Sequence, residues 1–243
     1  MVNIYLASAD QHSKFILPLI RKLGYCYYNL FSFYYLSNKT LLKNYLELTD
    51  YSINTLVDSG AHSFQKGTKV NFNQFLKDYG KFIQQTDNPK CLGYFELDID
   101  NIVGYDKVLE YRQYLENITD KIIPVWHPNR GIKDFKQMCN DYNYVSISGW
   151  ANEDIHDKDF HLFVNYAHKK GCKIHGLGLT RIKVLNKVNF DTVDSSSWTA
   201  PLRFRTIDKK YISKKYANNK RKQFEQLCYL KGMQQQKQYM RIK

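Results

Sequence analysis

The stretch KIIPVWHPNRGIKDFKQMCNDYNYVSISGW, residues 121–150, contains the repeating unit of this chain. Residues 121–127 and 144–148 are short and largely apolar, which is typical of strands that are covered on both faces of a sheet. Residues 131–141 between them have the pattern of an amphipathic helix. A strand, a helix and a second strand in this order predict two parallel strands joined by a helical crossover.

The same alternation continues along most of the chain. Strands are predicted at 3–8, 55–60, 91–99, 121–127, 144–148, 173–179 and 191–196, and residues 25–36 are a candidate for the eighth. Helices are predicted at 11–23, about 38–48, 71–86, 104–117, 131–141, 157–170 and 180–187. The first choice of fold is therefore an α/β protein of the TIM-like (β/α)8 barrel type, and an open doubly wound sheet is the second.

We expect a single domain, because no linker rich in Gly, Ser or Pro divides the 243 residues. The barrel is assigned to residues 1–205, and residues 206–243 to a basic, helical C-terminal extension of the same domain. This extension is either a solvated helix packed on the barrel or a surface that contacts phosphates, and the two interpretations are compatible. The residues expected to contact phosphates are Lys209, Lys210, Lys214, Lys215, Lys220, Arg221 and Lys222.

The net charge of +13 favours a polyanionic partner, with nucleic acid as the first candidate. The five cysteines are scattered without a CxxC pair, so neither a disulfide framework nor a cysteine zinc site is expected. The sequence shows neither a secretory leader nor an apolar run of about 18 residues. We therefore expect a soluble cytoplasmic protein that does not contact membranes.

Acidic residues stand where several predicted strands end. Asp58 ends one strand, Asp98 and Asp100 follow another, and Asp194 ends the last. Because the carboxyl ends of parallel strands meet on one face of a barrel, these side chains are expected to converge. Two carboxylates at one site suit a substitution at an anomeric carbon, in which one attacks and the other moves protons.

Two of these strand ends resemble motifs of a known family. VDSGAHSFQ (57–65) is similar to the Asp-Ser-Gly-Gly/Ala-aromatic-Gln signature of the queuine and archaeosine tRNA-ribosyltransferases, the tRNA-guanine transglycosylases. VNFDTVDSSSW (188–198) resembles the family segment in which an apolar strand ends in the nucleophilic aspartate. Between them, in the order of the family, lie FELDID (95–100), IPVWHPNRG (123–131), SISGW (146–150) and HGLGLTR (175–181).

The resemblance implies a base exchange. Asp194 is then the nucleophile on C1′ of a guanosine, and Asp58 is the general acid and base. Guanine leaves from a covalent glycosyl intermediate, and a 7-deazaguanine base attacks the same carbon. This pentosyltransferase reaction needs neither ATP nor a redox cofactor.

The resemblance also implies residues that bind the base. Asp98, or its neighbour Asp100, is implied to accept hydrogen bonds from the N–H edge of the base. The backbone of Ser148 and Gly149 is implied to lie nearby. His62, at the aromatic position of the family, or Phe64 is implied to stack on the purine.

The histidines allow two interpretations. His127 and His175 lie at predicted strand ends, where each is either a hydrogen-bonded core or rim histidine or a substrate contact. His156, His161 and His168 do not have the spacing of metal ligands, so no metal site is expected.

The chain also departs from the family. Trp126, His127 and Pro128 stand where the family has Gln-Gly-Gly, and the three-cysteine zinc site after the nucleophile has no counterpart, since only Cys228 follows Asp194. The chain is also much shorter than the tRNA enzymes. These departures resemble the compact phage and bacterial relatives that place 7-deazaguanine bases into DNA, so DNA is favoured over tRNA as the partner.

Two other functions stay open from the sequence. A hydrolytic barrel, either a glycosidase or a nucleosidase, would use the same pair of acids with water as the acceptor. A non-catalytic barrel that binds nucleic acid would keep the fold and the positive charge only.

Overall fold

A computed structural model describes residues 2–36, 38–64, 70–148, 155–179, 181–203 and 217–240. Within this part of the chain, the strands form one parallel sheet in which neighbours in sequence are neighbours in space, and the first strand also pairs with the last. The strands are β1 (Asn3–Ala7), β2 (Cys26–Ser32), β3 (Ser52–Asp58), β4 (Cys91–Phe95), β5 (Ile122–Ile123), β6 (Val125–Trp126), β7 (Tyr144–Ser148), β8 (Lys173–Leu177) and β9 (Thr192–Ser195).

The barrel closes through a strand that is interrupted at Pro124. β5 pairs with β4, and β6 pairs with β7. Proline has no N–H to donate, and the next N–H, that of Val125, donates to Oε1 of the Glu96 side chain at 2.8 Å. The carbonyl of Pro124 accepts from the N–H of Ser146 at 2.8 Å. When β5 and β6 are counted as one strand, the nine segments become eight, and the predicted (β/α)8 barrel is confirmed.

The helices lie between the strands along the chain. They are α1 (Ser13–Leu23), α2 (Phe33–Leu36), α3 (Lys39–Tyr51), α4 (Phe72–Thr86), α5 (Asp100–Val103), α6 (Tyr105–Glu116), α7 (Gly131–Asp141), α8 (Phe160–Lys169), α9 (Ile182–Leu185), α10 (Ala200–Arg203) and α11 (Ala217–Met240). Short 3₁₀ helices occupy Ala61–Phe64, Pro128–Arg130 and Ser197–Thr199. In the described residues, no helix combines the length and apolar character needed to cross a membrane.

Large side chains fill the inside of the barrel. Tyr5 packs on Tyr28, with their ring centroids 5.3 Å apart, and its hydroxyl donates to the side chain of Asn54. Two further apolar clusters separate the strands from the surrounding helices. The interior cluster consists of Tyr5, Tyr28, Leu30, Leu56, Phe95, Ile123 and Val125.

The C-terminal helix α11 belongs to the barrel wall, where it packs against α1 and β1. Cys228 and Tyr229 are buried there. The side-chain amide of Gln236 donates to the carbonyl oxygens of Ile4 at 2.7 Å and Tyr28 at 2.6 Å. The predicted basic C-terminal helix is therefore present, and one of its faces supports the first two strands.

Several strands are bounded differently from the prediction, and β4, predicted at 91–99, ends at Phe95. β3 begins at Ser52 rather than residue 55, and the apolar run 25–36 contains a strand that ends at Ser32 followed by the short helix α2. An apolar run that is buried in both conformations has no periodicity that separates its strand from its helix.

Candidate active site

Asp58 is the last residue of β3, and it lies at the end of the barrel where the strands have their carboxyl ends, here called the barrel mouth. Leu56 belongs to the interior cluster, so Asp58, two residues later, is on the same face of the strand. The chain then passes through Gly60, whose φ is 81°. A Cβ atom at Gly60 would lie 2.4 Å from Cβ of Tyr34 and 2.6 Å from Oγ of Ser32. Glycine is required because both the backbone conformation and the adjacent helix α2 exclude a side chain.

The carboxyl group of Asp58 is held in its protonated form. Burial raises its pKa from 3.8 to about 8, and the negative charges of Asp98, Asp194 and Asp10 act in the same direction. The backbone N–H of Gly60 opposes them by hydrogen bonding. Because a carboxyl group with a pKa of about 8 binds a proton at neutral pH, Asp58 is able to donate one there.

Asp194 is held near the end of β9 by two contacts to one carboxylate oxygen. The N–H of Gly178 donates to Oδ1 at 2.6 Å, and Nε2 of His175 lies 3.2 Å from the same oxygen. The other oxygen, Oδ2, receives neither of these hydrogen bonds, and it is the one we consider for attack on a substrate.

The structure separates the two acids that the sequence left as alternatives. Oδ2 of Asp98 lies 3.6 Å from Nε2 of His127, and the charge of Asp98 acts on Asp58 at the barrel mouth. Asp100 instead accepts from Nε of Arg130 at 3.1 Å and from the side chain of Asn129 at 3.3 Å. Burial is the largest single influence and acts to raise the pKa of Asp100, but the charge of Arg130 and the hydrogen bonds from Arg130 and Asn129 act together to lower it, and the net pKa is lowered. Asp98 therefore stays a candidate for base binding, whereas Asp100 is occupied by an ion pair.

A buried ion cluster next to this position was missed from the sequence. Glu96 is fully buried and accepts from Arg112 at 2.6 and 3.2 Å and from Arg130 at 3.3 Å. The guanidinium of Arg130 also lies 4.3 Å from the ring centroid of Tyr105. Together with the bond from Val125 to Glu96, these contacts fix the segment after β4, in which Asp98 lies.

Asp10, after β1, is a second acid that the sequence analysis missed. It is fully buried, and burial raises its pKa from 3.8 to about 7. Backbone N–H groups, among them those of Gln11 and Ser32, act to lower its pKa. The signal that selected Asp58 was also present here, because an acid follows the apolar strand NIYLA (3–7) by three residues.

The structure places Phe64, one of the two predicted base-stacking residues, differently from the expectation. Phe64 is 5% exposed, and its ring packs against the rings of Phe75 at 4.8 Å, Tyr34 at 5.3 Å and Phe72 at 5.5 Å between centroids. The stacking role expected for Phe64 is therefore corrected: the ring of Phe64 packs in the core against other rings and is not available to a base. His62 lies in the 3₁₀ helix Ala61–Phe64, and its side chain is outside the described part.

The remaining candidates for base binding lie at three strand ends. Ser148 is the buried last residue of β7, next to Leu177 of β8. Gly149 lies outside the described residues. His127 is at the barrel mouth beside Asp98. His175 is fully buried beneath Asp194, so the direct substrate contact expected for it is replaced by a contact to the carboxylate.

The structure describes few of the residues that were expected to contact phosphates. Arg221 and Lys222 are exposed on α11. Nε of Arg221 also donates to Glu225 at 2.9 Å, and its guanidinium lies 5.3 Å from the ring centroid of Phe15. The others, which lie outside the described residues or have side chains outside them, are Lys209, Lys210, Lys214, Lys215 and Lys220.

A metal site was not expected, and the described residues contain no group of three or more His, Cys, Asp and Glu side chains that could hold a metal ion. The five cysteines are buried and free.

Comparisons with known proteins identify no family. No family model matches the sequence, and no curated protein does. One solved structure with a similar arrangement is described as a novel GH10 endoxylanase retrieved from sugarcane soil metagenome. Its sequence is 9% identical, the TM-score is 0.46, and the match covers 80% of this chain and 85% of that chain. A likeness of this size supports no inference about the reaction of this protein.

Proposed function

We propose that the protein is a nucleic-acid guanine transglycosylase, which exchanges guanine for a 7-deazaguanine base through a covalent intermediate on Asp194. The observation that carries the proposal is the contrast between two acids at the barrel mouth. Asp58 holds a proton at neutral pH, because its pKa is about 8. Asp194 has its Oδ1 held by contacts from Gly178 and His175, and neither contact reaches Oδ2. A general acid needs a proton to give, and a nucleophile needs a free carboxylate oxygen.

In the first step, Oδ2 of Asp194 attacks C1′ of the target nucleoside. The C1′–N9 bond breaks, its electron pair goes to guanine, and the proton of Asp58 neutralises the leaving base. The charge of Asp194 is one cause of the raised pKa of Asp58. Since that charge disappears as the ester forms, the step makes Asp58 a stronger acid at the moment when the base needs its proton.

In the second step, the incoming base attacks the same carbon. Asp58, now a carboxylate, takes the proton from N9, and the bond between C1′ and Asp194 breaks with its electron pair returning to the carboxylate. Two displacements at one carbon restore the original anomeric configuration. No metal or redox cofactor takes part in this scheme.

We propose DNA rather than tRNA as the substrate. The support is the departure of this sequence from the tRNA enzymes it resembles, above all the missing cysteine cluster after Asp194, together with the net charge of +13. The target base must leave the stack to reach a barrel mouth. Asp98 is then the acid available for the N–H edge of the base, because Asp100 is bound to Arg130.

The test is release of guanine from guanine-labelled DNA and, separately, from labelled tRNA, in the presence of 7-cyano-7-deazaguanine. We expect the wild type to release guanine from DNA and Asp194→Asn to release none. Asp120→Asn is the matched control, because Asp120 is exposed and precedes β5, at the barrel end opposite the mouth. It should retain wild-type activity.

The products distinguish the alternatives. Abasic sugar without incorporation of the new base would assign the acid pair to hydrolysis. Release from tRNA alone would reverse the choice of substrate. Salt-dependent binding of nucleic acid without release, unchanged in Asp58→Asn and Asp194→Asn, would favour the non-catalytic barrel.

A further inference from the structure

A chain of three side chains runs from the barrel interior to Asp194. The hydroxyl of Tyr144 on β7 contacts Oγ1 of Thr192 on β9. Oγ1 of Thr192 lies 2.7 Å from Nδ1 of His175 on β8, and Nε2 of His175 lies 3.2 Å from Oδ1 of Asp194. Thr192 and His175 are neighbours in the pairing of their strands, so the backbone fixes their contact.

The chemistry of the groups gives this chain one direction. A carboxylate only accepts, so Nε2 of His175 carries a hydrogen, and in the tautomer with its single hydrogen there Nδ1 is an acceptor. Thr192 must therefore donate to Nδ1, and its single hydrogen leaves Oγ1 as the acceptor for the hydroxyl of Tyr144. Burial raises the pKa of the Tyr144 phenol, so this donor keeps its proton. Thr192 and His175, the two middle members, each have a partner on both sides.

The ring of His175 has no freedom to turn away from Asp194. It is fully buried, with the ring centroid of Phe95 at 4.9 Å and that of Tyr5 at 6.5 Å. A flip of the ring would break both hydrogen bonds at this fully buried position. A buried polar group that loses its partner is costly.

We infer that His175 is a positioning residue that holds Oδ1 of Asp194, aims Oδ2 at the substrate and speeds the release of the nucleic acid from the covalent intermediate. This inference rests on the proposed function. Thr192 and Tyr144 act through His175, because they fix its tautomer and its orientation. His175 itself touches no reacting atom.

The effect on the two steps is unequal. Asp194 loses its charge when Oδ2 bonds to C1′, and it regains the charge when that bond breaks and the electron pair returns. A hydrogen bond to a carboxylate is stronger than one to the carbonyl of an ester. The donor on Oδ1 therefore stabilises the departing carboxylate and favours the second step over the first.

The experiment follows the two steps separately in single turnovers on labelled DNA. Formation of the protein–DNA adduct is measured under denaturing conditions without an incoming base, and its resolution is measured after 7-cyano-7-deazaguanine is added. In His175→Leu we expect resolution to slow by about tenfold or more relative to formation, so that the adduct accumulates. His175→Gln, which keeps a donor, should recover part of the loss.

Tyr144→Phe provides a milder test, because it removes one oxygen and decides the matter if His175→Leu does not fold. It should slow resolution in the same direction by a smaller factor. Tyr5→Phe is its control. This variant also removes a hydroxyl inside the barrel, but that hydroxyl bonds to Asn54 and is not part of the series from Tyr144 to Asp194. Equal slowing of both steps, or unchanged resolution in His175→Leu and Tyr144→Phe, would overturn the inference. If the wild type forms no adduct and exchanges no base, the proposed function itself fails, and the inference falls with it.

Discussion

Asp10 offers a quantitative test of the electrostatics at the barrel mouth. Its side chain is fully buried, and burial raises its pKa from 3.8 to about 7. Asp10→Asn replaces the carboxyl group, which titrates, by an amide of nearly the same shape, which does not titrate. The variant should therefore become more stable than the wild type as the pH rises.

The magnitude follows from the pKa difference between the folded and unfolded states. Below pH 3.8 the carboxyl is protonated in both states and costs nothing by titration. As the pH rises from 3.8 to about 7, the folded protein holds a proton that the unfolded chain has lost, so the free energy of unfolding falls. Each pKa unit corresponds to about 1.4 kcal/mol. Between pH 5 and pH 8 the cost of Asp10 should therefore grow by about 3 kcal/mol.

The assay is urea unfolding of wild type and Asp10→Asn at pH 5 and pH 8. The variant should gain about 3 kcal/mol relative to the wild type between these two values. Any cost of burying the amide cancels, because it is the same at both pH values. Asp120→Asn is the control, since Asp120 is exposed, and its difference from the wild type should not change with pH. Parallel pH dependence of wild type and Asp10→Asn would refute the reasoning.

Three other results follow from the same structure. A positive φ should lower the free energy of unfolding of both Gly60→Ala and Gly24→Ala by about 1 kcal/mol in urea unfolding. Gly60→Ala should lose roughly 2 kcal/mol in addition, because its new Cβ would meet other atoms and that of Gly24→Ala would not. Equal losses in the two variants would contradict this. The rate of guanine release in the first step should fall above about pH 8, where Asp58 loses its proton. If Asp58→Asn shows the same fall in rate above about pH 8, another group is responsible for it. Lys222→Ala should reduce the slope of log binding constant against log salt by about 0.9 if Lys222 contacts a phosphate, and an unchanged slope would exclude that contact.

The strand and helix pattern was predictable because each βα unit carries its own signal. Residues 131–141 were assigned to a helix with the bounds that the structure has, and residues 144–148 to a strand with its observed bounds. The sequence favoured a closed barrel over an open doubly wound sheet but did not decide between them. Closure depends on the interruption at Pro124, where one strand changes partner from β4 to β7, and pairing of this kind leaves no periodic pattern in the sequence.

The candidate site was predictable only as far as strand ends could indicate it. Asp58 and Asp194 follow from that rule, and the structure places both at the barrel mouth. The rule does not separate Asp98 from Asp100, because the difference is made by Arg130, thirty residues further along the chain. The rule also does not predict that His175 is buried. The sequence shows that a residue is near a strand end, but it does not show which side chains cover that residue.

The barrel mouth combines several acids with a chain that carries a net charge of +13, and the protonation of two acids reconciles these acids with the anionic partner that we propose. Asp58 and Asp10 have pKa values of about 8 and about 7, so the site at neutral pH is less negative than its number of carboxyl groups implies. Asp194 is the proposed nucleophile, and the contacts to its Oδ1 leave Oδ2 for the attack. In the proposed reaction, a phosphodiester therefore meets less repulsion at this mouth, and the leaving base takes the proton of Asp58. The same repulsion that holds the proton on Asp58 weakens when Asp194 is consumed, so the charge of the nucleophile and the acidity of its partner are coupled through the geometry of the barrel.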